Sequence, residues 1–210
     1  MKVLFVGINP GVRSALMGHH FAGYSNRFWK LLWDARLVPE PISWMDDDRL
    51  PGWGFGITNL IARPSPGIDD LRPAEYADGW KALERKIDRF RPEVVAFVGV
   101  TLYRAILPLV DLPASRSRAR SDSRSSAISS SPARVPPGPR ARAKPVVAMR
   151  SAIGAQPFMI HGARVFVLPN PSGRNANFSY AEMLGAFRKL RRALTPRRPG
   201  RKPAGAEGGV

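Results

Sequence analysis

Lys2-Val3-Leu4-Phe5-Val6-Gly7-Ile8-Asn9-Pro10-Gly11 joins an apolar run to a glycine- and proline-bearing turn, and the architecture follows from that join. Lys2 to Val6 carries no acidic group and four apolar side chains in a row, then enters a turn holding two glycines, an asparagine and a proline. A short continuous apolar run bounded by turn residues reads as a strand buried on both faces, as in a parallel sheet. Gly7 and Gly11 permit close backbone approach, and Pro10 stiffens the turn. Asn9 is thereby held on a rigid loop at the carboxyl end of a central strand, the edge where open α/β sheets bind ligands. Taken alone, these ten residues also fit an ordinary strand-to-helix turn in which Asn9 only caps the next segment.

Working outward, residues 12–24 read as a loop rich in small residues, with Phe21 set among His19, His20 and Gly23. Ser25 or Asn26 caps a helix whose Phe28, Leu31, Leu32 and Ala35 follow helical spacing, with Trp29 and Trp33 as further core. Residues 38–53 read as a loop, its Asp46, Asp47 and Asp48 a solvated charge run. A second short strand covers Gly54 to Leu60, and a helix from about Ala74 to Phe90 carries Trp80, Leu83 and Ile87 on one face. Val94 to Gly99 is the clearest buried strand, followed by a helix over Thr101 to Leu109. Order resumes near Ala155. Arg164 to Leu168 is a fourth strand, running into Pro169-Asn170-Pro171-Ser172-Gly173-Arg174-Asn175, and a helix from Tyr180 to Leu194 closes the pattern. Strands alternating with helices predict a three-layer α/β/α fold around a central, mostly parallel, four-stranded sheet. Its first and fourth strands both end in Asn-Pro turns with glycine, and both turns can face one crevice.

The net charge of +17 is unevenly spread. Residues 111–152 hold nine Lys/Arg against two Asp, with ten Ser and six Pro, and residues 185–210 hold eight Lys/Arg against one Glu. The remainder carries only +3. The segment at about 111–152 therefore reads as a disordered basic insertion and 195–210 as a basic disordered tail. Such arms meet phosphate backbones or keep a protein soluble, and charge does not separate the two. With no cysteine, disulfides, iron–sulfur clusters and thiolate zinc sites are excluded. His19, His20 and His161 form no metal-ligand pattern, so no metal and no cofactor is expected. No apolar run reaches membrane-spanning length and no signal peptide opens the chain, so a soluble, cytoplasmic protein without membrane contact is expected.

Gly7-Ile8-Asn9-Pro10-Gly11 together with Pro169-Asn170-Pro171-Ser172-Gly173 resembles the mismatch-specific uracil/thymine-DNA glycosylases, within the uracil-DNA glycosylase superfamily. His20-Phe21-Ala22 leading into Ser25-Asn26-Arg27-Phe28-Trp29-Lys30 extends the resemblance, which covers roughly residues 2–110 and 155–192. It implies a single glycosylase domain over 1–194, interrupted by the insertion. It also implies a monomeric, monofunctional enzyme that flips uracil out of double-stranded DNA mismatched with guanine, with thymine or ethenocytosine as further substrates. By the resemblance, Asn9 and Asn170 are the catalytic residues. Gly7, Ile8, Pro10, Ser14 and Phe21 form the base pocket, where Phe21 stacks on the flipped base and Ser14 lies near the pyrimidine 5-position. Pro171, Ser172, Gly173, Arg174 and Asn175 form the wedge and backbone contacts. An apolar leucine follows the glycine in the familiar wedge, and Arg174 stands there instead. Asn59 occupies a place where a lysine is familiar, so no contact is carried over to it. Three other readings meet parts of the sequence: a non-catalytic mismatch-binding module, a nucleotide-binding α/β domain, and a superfamily enzyme preferring hypoxanthine or xanthine. The nucleotide-binding reading lacks a glycine-rich phosphate loop.

Overall fold

Alternate residues of the first strand, β1 (Val3–Gly7), face two different cores. In the computed structural model, which describes residues 1–110 and 150–195, Val3 and Phe5 point to one side and Leu4 and Val6 to the other. The period of two along a strand dictates this, and a strand apolar at every position must be covered on both faces. The remaining strands are β2 (Phe55–Asn59), β3 (Val94–Val98), β4 (Gly154–Ile160) and β5 (Ala163–Leu168). They order as β2-β1-β3-β5-β4, with the first four parallel.

One face is covered by α2 (Phe28–Asp34) and the closing helix α5 (Tyr180–Leu194). Phe28, Leu31 and Leu32 meet Met183, Phe187 and Leu190 there. The other face is covered by α3 (Pro73–Phe90) and α4 (Val100–Ile106), through Trp80, Leu83 and Ile87 with Leu102 and Ile106. Helix α5 starts on a full capping box: the Ser179 hydroxyl accepts from Glu182 N at 3.3 Å, and Glu182 Oε2 accepts from Ser179 N at 2.8 Å.

The sheet has five strands, not the expected four. Strand β4 is an edge strand running antiparallel to β5, with a register irregularity between Ala155 and Met159. Its half-exposed alternation and internal Pro157 are tolerated because only one side is paired. His161 and Gly162, both at positive φ (46° and 80°), make the two-residue turn into β5.

Residues 12–24 are not all loop, since Val12–Met17 form a short helix, α1, none of whose residues is buried. Trp44–Trp53 is a run of 3₁₀ turns, and Asp46 and Asp47 there are bonded rather than merely solvated. Trp29 is core, but Trp33 is exposed. The expected insertion and tail lie outside the described residues, apart from residues 150–152 and Thr195. Arg150, included in that insertion, pairs with Glu182 at the start of α5. Among the described residues no helix is long and apolar enough to cross a membrane.

Candidate active site

The carboxyl ends of the parallel strands open into a crevice of about 540 Å³, within the range of ligand clefts. Gly7, Ile8, Asn9, Pro10, Ser14 and Phe21 line it, joined by Asn170, Ser172 and Arg174 from the turn after β5. The two Asn-Pro turns thus meet across β3, as the sequence predicts. Pro171, Gly173 and Asn175 do not line the crevice.

Asn9 is held from behind. Its Nδ2 donates to Ser65 Oγ at 2.9 Å, to the Pro10 carbonyl at 3.2 Å and, at longer range, to the Arg63 carbonyl at 3.4 Å. Two of those partners are backbone carbonyls, which only accept, so the amide must present nitrogen to them. Its Oδ1 has no partner among the described residues and is left to accept within the crevice. Ser65, itself buried, donates its hydroxyl proton to the Gly67 carbonyl at 2.5 Å and its N–H to the Pro10 carbonyl at 3.2 Å. The β1–β2 ladder therefore runs on beyond the strands, through Leu60 N to Gly7 O (2.9 Å) and Ile61 N to Ile8 O (2.8 Å). Arg63 also grips Glu75 of α3 by two bonds of 2.8 and 2.9 Å, anchoring this loop. The Arg63 guanidinium, with the Arg72 N–H, holds the Glu75 carboxyl down at about 2.

Phe21 adopts φ +52°, which a bulky side chain takes only when its surroundings enforce it. The enforcing bonds are all visible. His19 Nδ1 donates to Asp47 Oδ1 at 2.9 Å, and His20 N donates to Asp47 Oδ2 at 3.1 Å. Trp29 Nε1 donates to the His20 carbonyl at 3.2 Å, and Ala22 N donates to Ser14 Oγ at 3.0 Å. One face of the Phe21 ring stacks on buried Phe28, centroids 4.2 Å apart and planes 25° apart. Gly7 is required at this spot, because a Cβ would come 2.6 Å from Asn59 Oδ1 and 3.4 Å from the Phe21 ring. Burial lowers the His20 pKa, partly offset by the Asp47 carboxylate, so this ring is neutral at pH 7.

The second Asn-Pro turn is braced internally. Asn170 Oδ1 accepts from Ser172 N at 3.0 Å, Asn175 Nδ2 donates to the Asn170 carbonyl at 2.7 Å, and Asn175 N donates to the Ser172 carbonyl at 2.9 Å. Asn175 is thus a brace of the loop. Asn170 keeps its Nδ2 without a partner among the described residues. The Pro171 carbonyl accepts from Arg27 N at 3.0 Å, and a Cβ on Gly173 would collide with Ser25 Cβ at 2.3 Å. The loop is therefore docked on the start of α2, while Arg174 stays exposed with no side-chain partner among the described residues.

Sequence reading missed Ser65 and Arg13, and set Asn59 and His20 aside, yet all four line the crevice. Nothing local marks Ser65, which reaches Asn9 across fifty-six positions of chain. Among the described residues no carboxylate lines the crevice, and no cluster of His, Asp and Glu could hold a metal.

A G/U mismatch-specific uracil DNA glycosylase of Schizosaccharomyces pombe is 46% identical over 97 residues, which is 45% of this chain and 30% of that protein. The chain therefore matches less than a third of that relative's length. The uracil DNA glycosylase superfamily model, by contrast, matches residues 1–194, and the chain belongs to that superfamily.

Proposed function

We propose that this chain excises uracil from duplex DNA where it faces guanine, hydrolysing the N-glycosidic bond to leave an abasic site. The observation that carries this reading is Asn9, whose amide nitrogen is tethered at the crevice floor while its oxygen is free. A water donating to that oxygen is oriented toward the C1′ of a nucleotide whose base fills the crevice. The C1′–N bond breaks with its electron pair staying on the base, the water oxygen bonds to C1′, and the water gives up one proton. When the base leaves early, the sugar is cationic and water needs orientation more than deprotonation. An amide suffices for that task. Turnover slower than that of an enzyme with a carboxylate base follows.

The target base must leave the stack to reach this depth. The free face of Phe21 supplies a stacking surface, and Asn59 offers an amide donor and acceptor to the polar edge of the pyrimidine. Ser14 is small and its hydroxyl is occupied by Ala22 N, which favours room for a 5-substituent; thymine and ethenocytosine opposite guanine are included in the proposal. Arg174, exposed on a braced loop, enters the gap left by the extruded base. The test is an excision assay on duplexes carrying uracil, thymine, ethenocytosine, hypoxanthine or xanthine, each opposite guanine and opposite its other plausible partners. Fastest excision of uracil opposite guanine is expected. Preference for a deaminated purine, or binding without excision, would overturn the assignment.

A further inference from the structure

Helix α1 has no buried residue, yet it is locked in place by polar bonds. Arg13 Nε donates to the Ala22 carbonyl at 2.8 Å, and Ser14 Oγ accepts from Ala22 N at 3.0 Å. Two consecutive residues of α1 therefore hold both backbone groups of the residue after Phe21. The Arg13 guanidinium also lies over the Tyr24 ring, its central carbon 3.5 Å from the ring centroid. Tyr24 is 90% exposed and has no other ring contact among the described residues. Arg13 lines the crevice, makes no ion pair with a carboxylate among the described residues, and keeps both terminal nitrogens unbonded.

We propose that Arg13, held over the Tyr24 ring, binds a phosphate of the target strand beside the extruded nucleotide. The proposal rests on the glycosylase reading above. Tyr24 covers one face of the guanidinium and Nε is committed to Ala22, so the remaining function is the in-plane pair of terminal N–H groups. That planar fork matches two phosphate oxygens, and fixing it in advance reduces the ordering cost of the contact. A base that enters the crevice leaves its sugar and phosphates at the mouth. Since Arg13 is tied to the Phe21–Ala22 turn, gripping the phosphate registers the strand directly against the stacking wall.

The test is a binding cycle on duplexes with a non-cleavable uracil analogue opposite guanine, read by fluorescence anisotropy. A set of these duplexes each carries one neutral methylphosphonate in place of a phosphate near the target. Arg13→Gln should weaken binding to the natural duplex about tenfold, the scale of a hydrogen bond to a charged group. Its log–log salt slope should fall by about 0.9. With one particular neutral linkage, wild type and Arg13→Gln should bind alike, and Arg13→Lys should recover part of the loss on the natural duplex. A tenfold loss that persists with every neutral linkage would overturn the proposal, leaving Arg13 only a brace for the Phe21 turn. Wild-type protein that binds these duplexes but excises no base from the matching duplex carrying cleavable uracil would overturn the glycosylase reading, while the cycle still decides Arg13. No binding to any duplex would overturn both.

Discussion

Ser65 Oγ accepts a proton of the Asn9 amide at 2.9 Å and gives its own proton to the Gly67 carbonyl at 2.5 Å. The hydroxyl has one proton, so this chain of bonds has a single direction and fixes which way the Asn9 amide faces. Asn9→Ala is expected to lower the single-turnover excision rate at least about 100-fold, with duplex binding nearly unchanged. Ser65→Ala is expected to cost about tenfold, the scale of one neutral hydrogen bond, because two carbonyl partners still hold Nδ2. Equal rates for Ser65→Ala and wild type would show that the carbonyls alone orient Asn9.

Phe21 has one face on Phe28 and lines the crevice, where the proposed reaction has it stack on a flipped base. Phe21→Ala should weaken capture of a non-cleavable uracil analogue by roughly 1–3 kcal/mol, the worth of base–aromatic stacking. Binding to undamaged duplex should hardly change. An equal loss on both duplexes would point instead to a collapsed turn.

Arg174 tests the partner base. A buried arginine must find acceptors, and guanine offers O6 and N7. In Arg174→Leu, excision should survive while discrimination between guanine and adenine opposite uracil shifts by up to roughly 1–3 kcal/mol. Unchanged discrimination in single-turnover assays would reduce Arg174 to a plug or a phosphate contact.

His20 gives a pH prediction. Its folded pKa lies below the ordinary 6.5 because of burial, so the unfolded chain binds the proton more readily. This contribution is fully present above about pH 6.5 and is lost as pH falls through the lowered value. Urea midpoints measured between pH 7.5 and 5.5 should fall on acidification, and His20→Gln should flatten that fall. A parallel decline in both proteins would assign the effect elsewhere.

The parallel core was legible because it depends on local periodicity. Val3–Gly7 and Val94–Val98 are apolar at every position, and such strands must be covered on both faces. Helix α5 matched its predicted bounds, since Met183, Phe187 and Leu190 recur at helical spacing on its buried face. Strand β4 escaped notice because it is half exposed, interrupted by Pro157 and paired on one side only. Its one local cue was the His161-Gly162 turn. Helix α1 escaped because it is short and buries none of its residues, Val12 and Leu16 included.

For the crevice, local sequence marks the two Asn-Pro turns: Asn9 and Asn170 beside glycine and proline, at the ends of strands that the apolar runs define. Only the tertiary structure decided how those groups are aimed. Ser65, fifty-six positions from Asn9, turns its amide, and Asp47, on a segment that reads as solvated, holds the His19–His20 turn behind Phe21. Apolar periodicity survives in a one-dimensional record because each residue carries it independently. A hydrogen bond between distant loops leaves no such trace, because its geometry exists only after the sheet has brought both loops to the same edge.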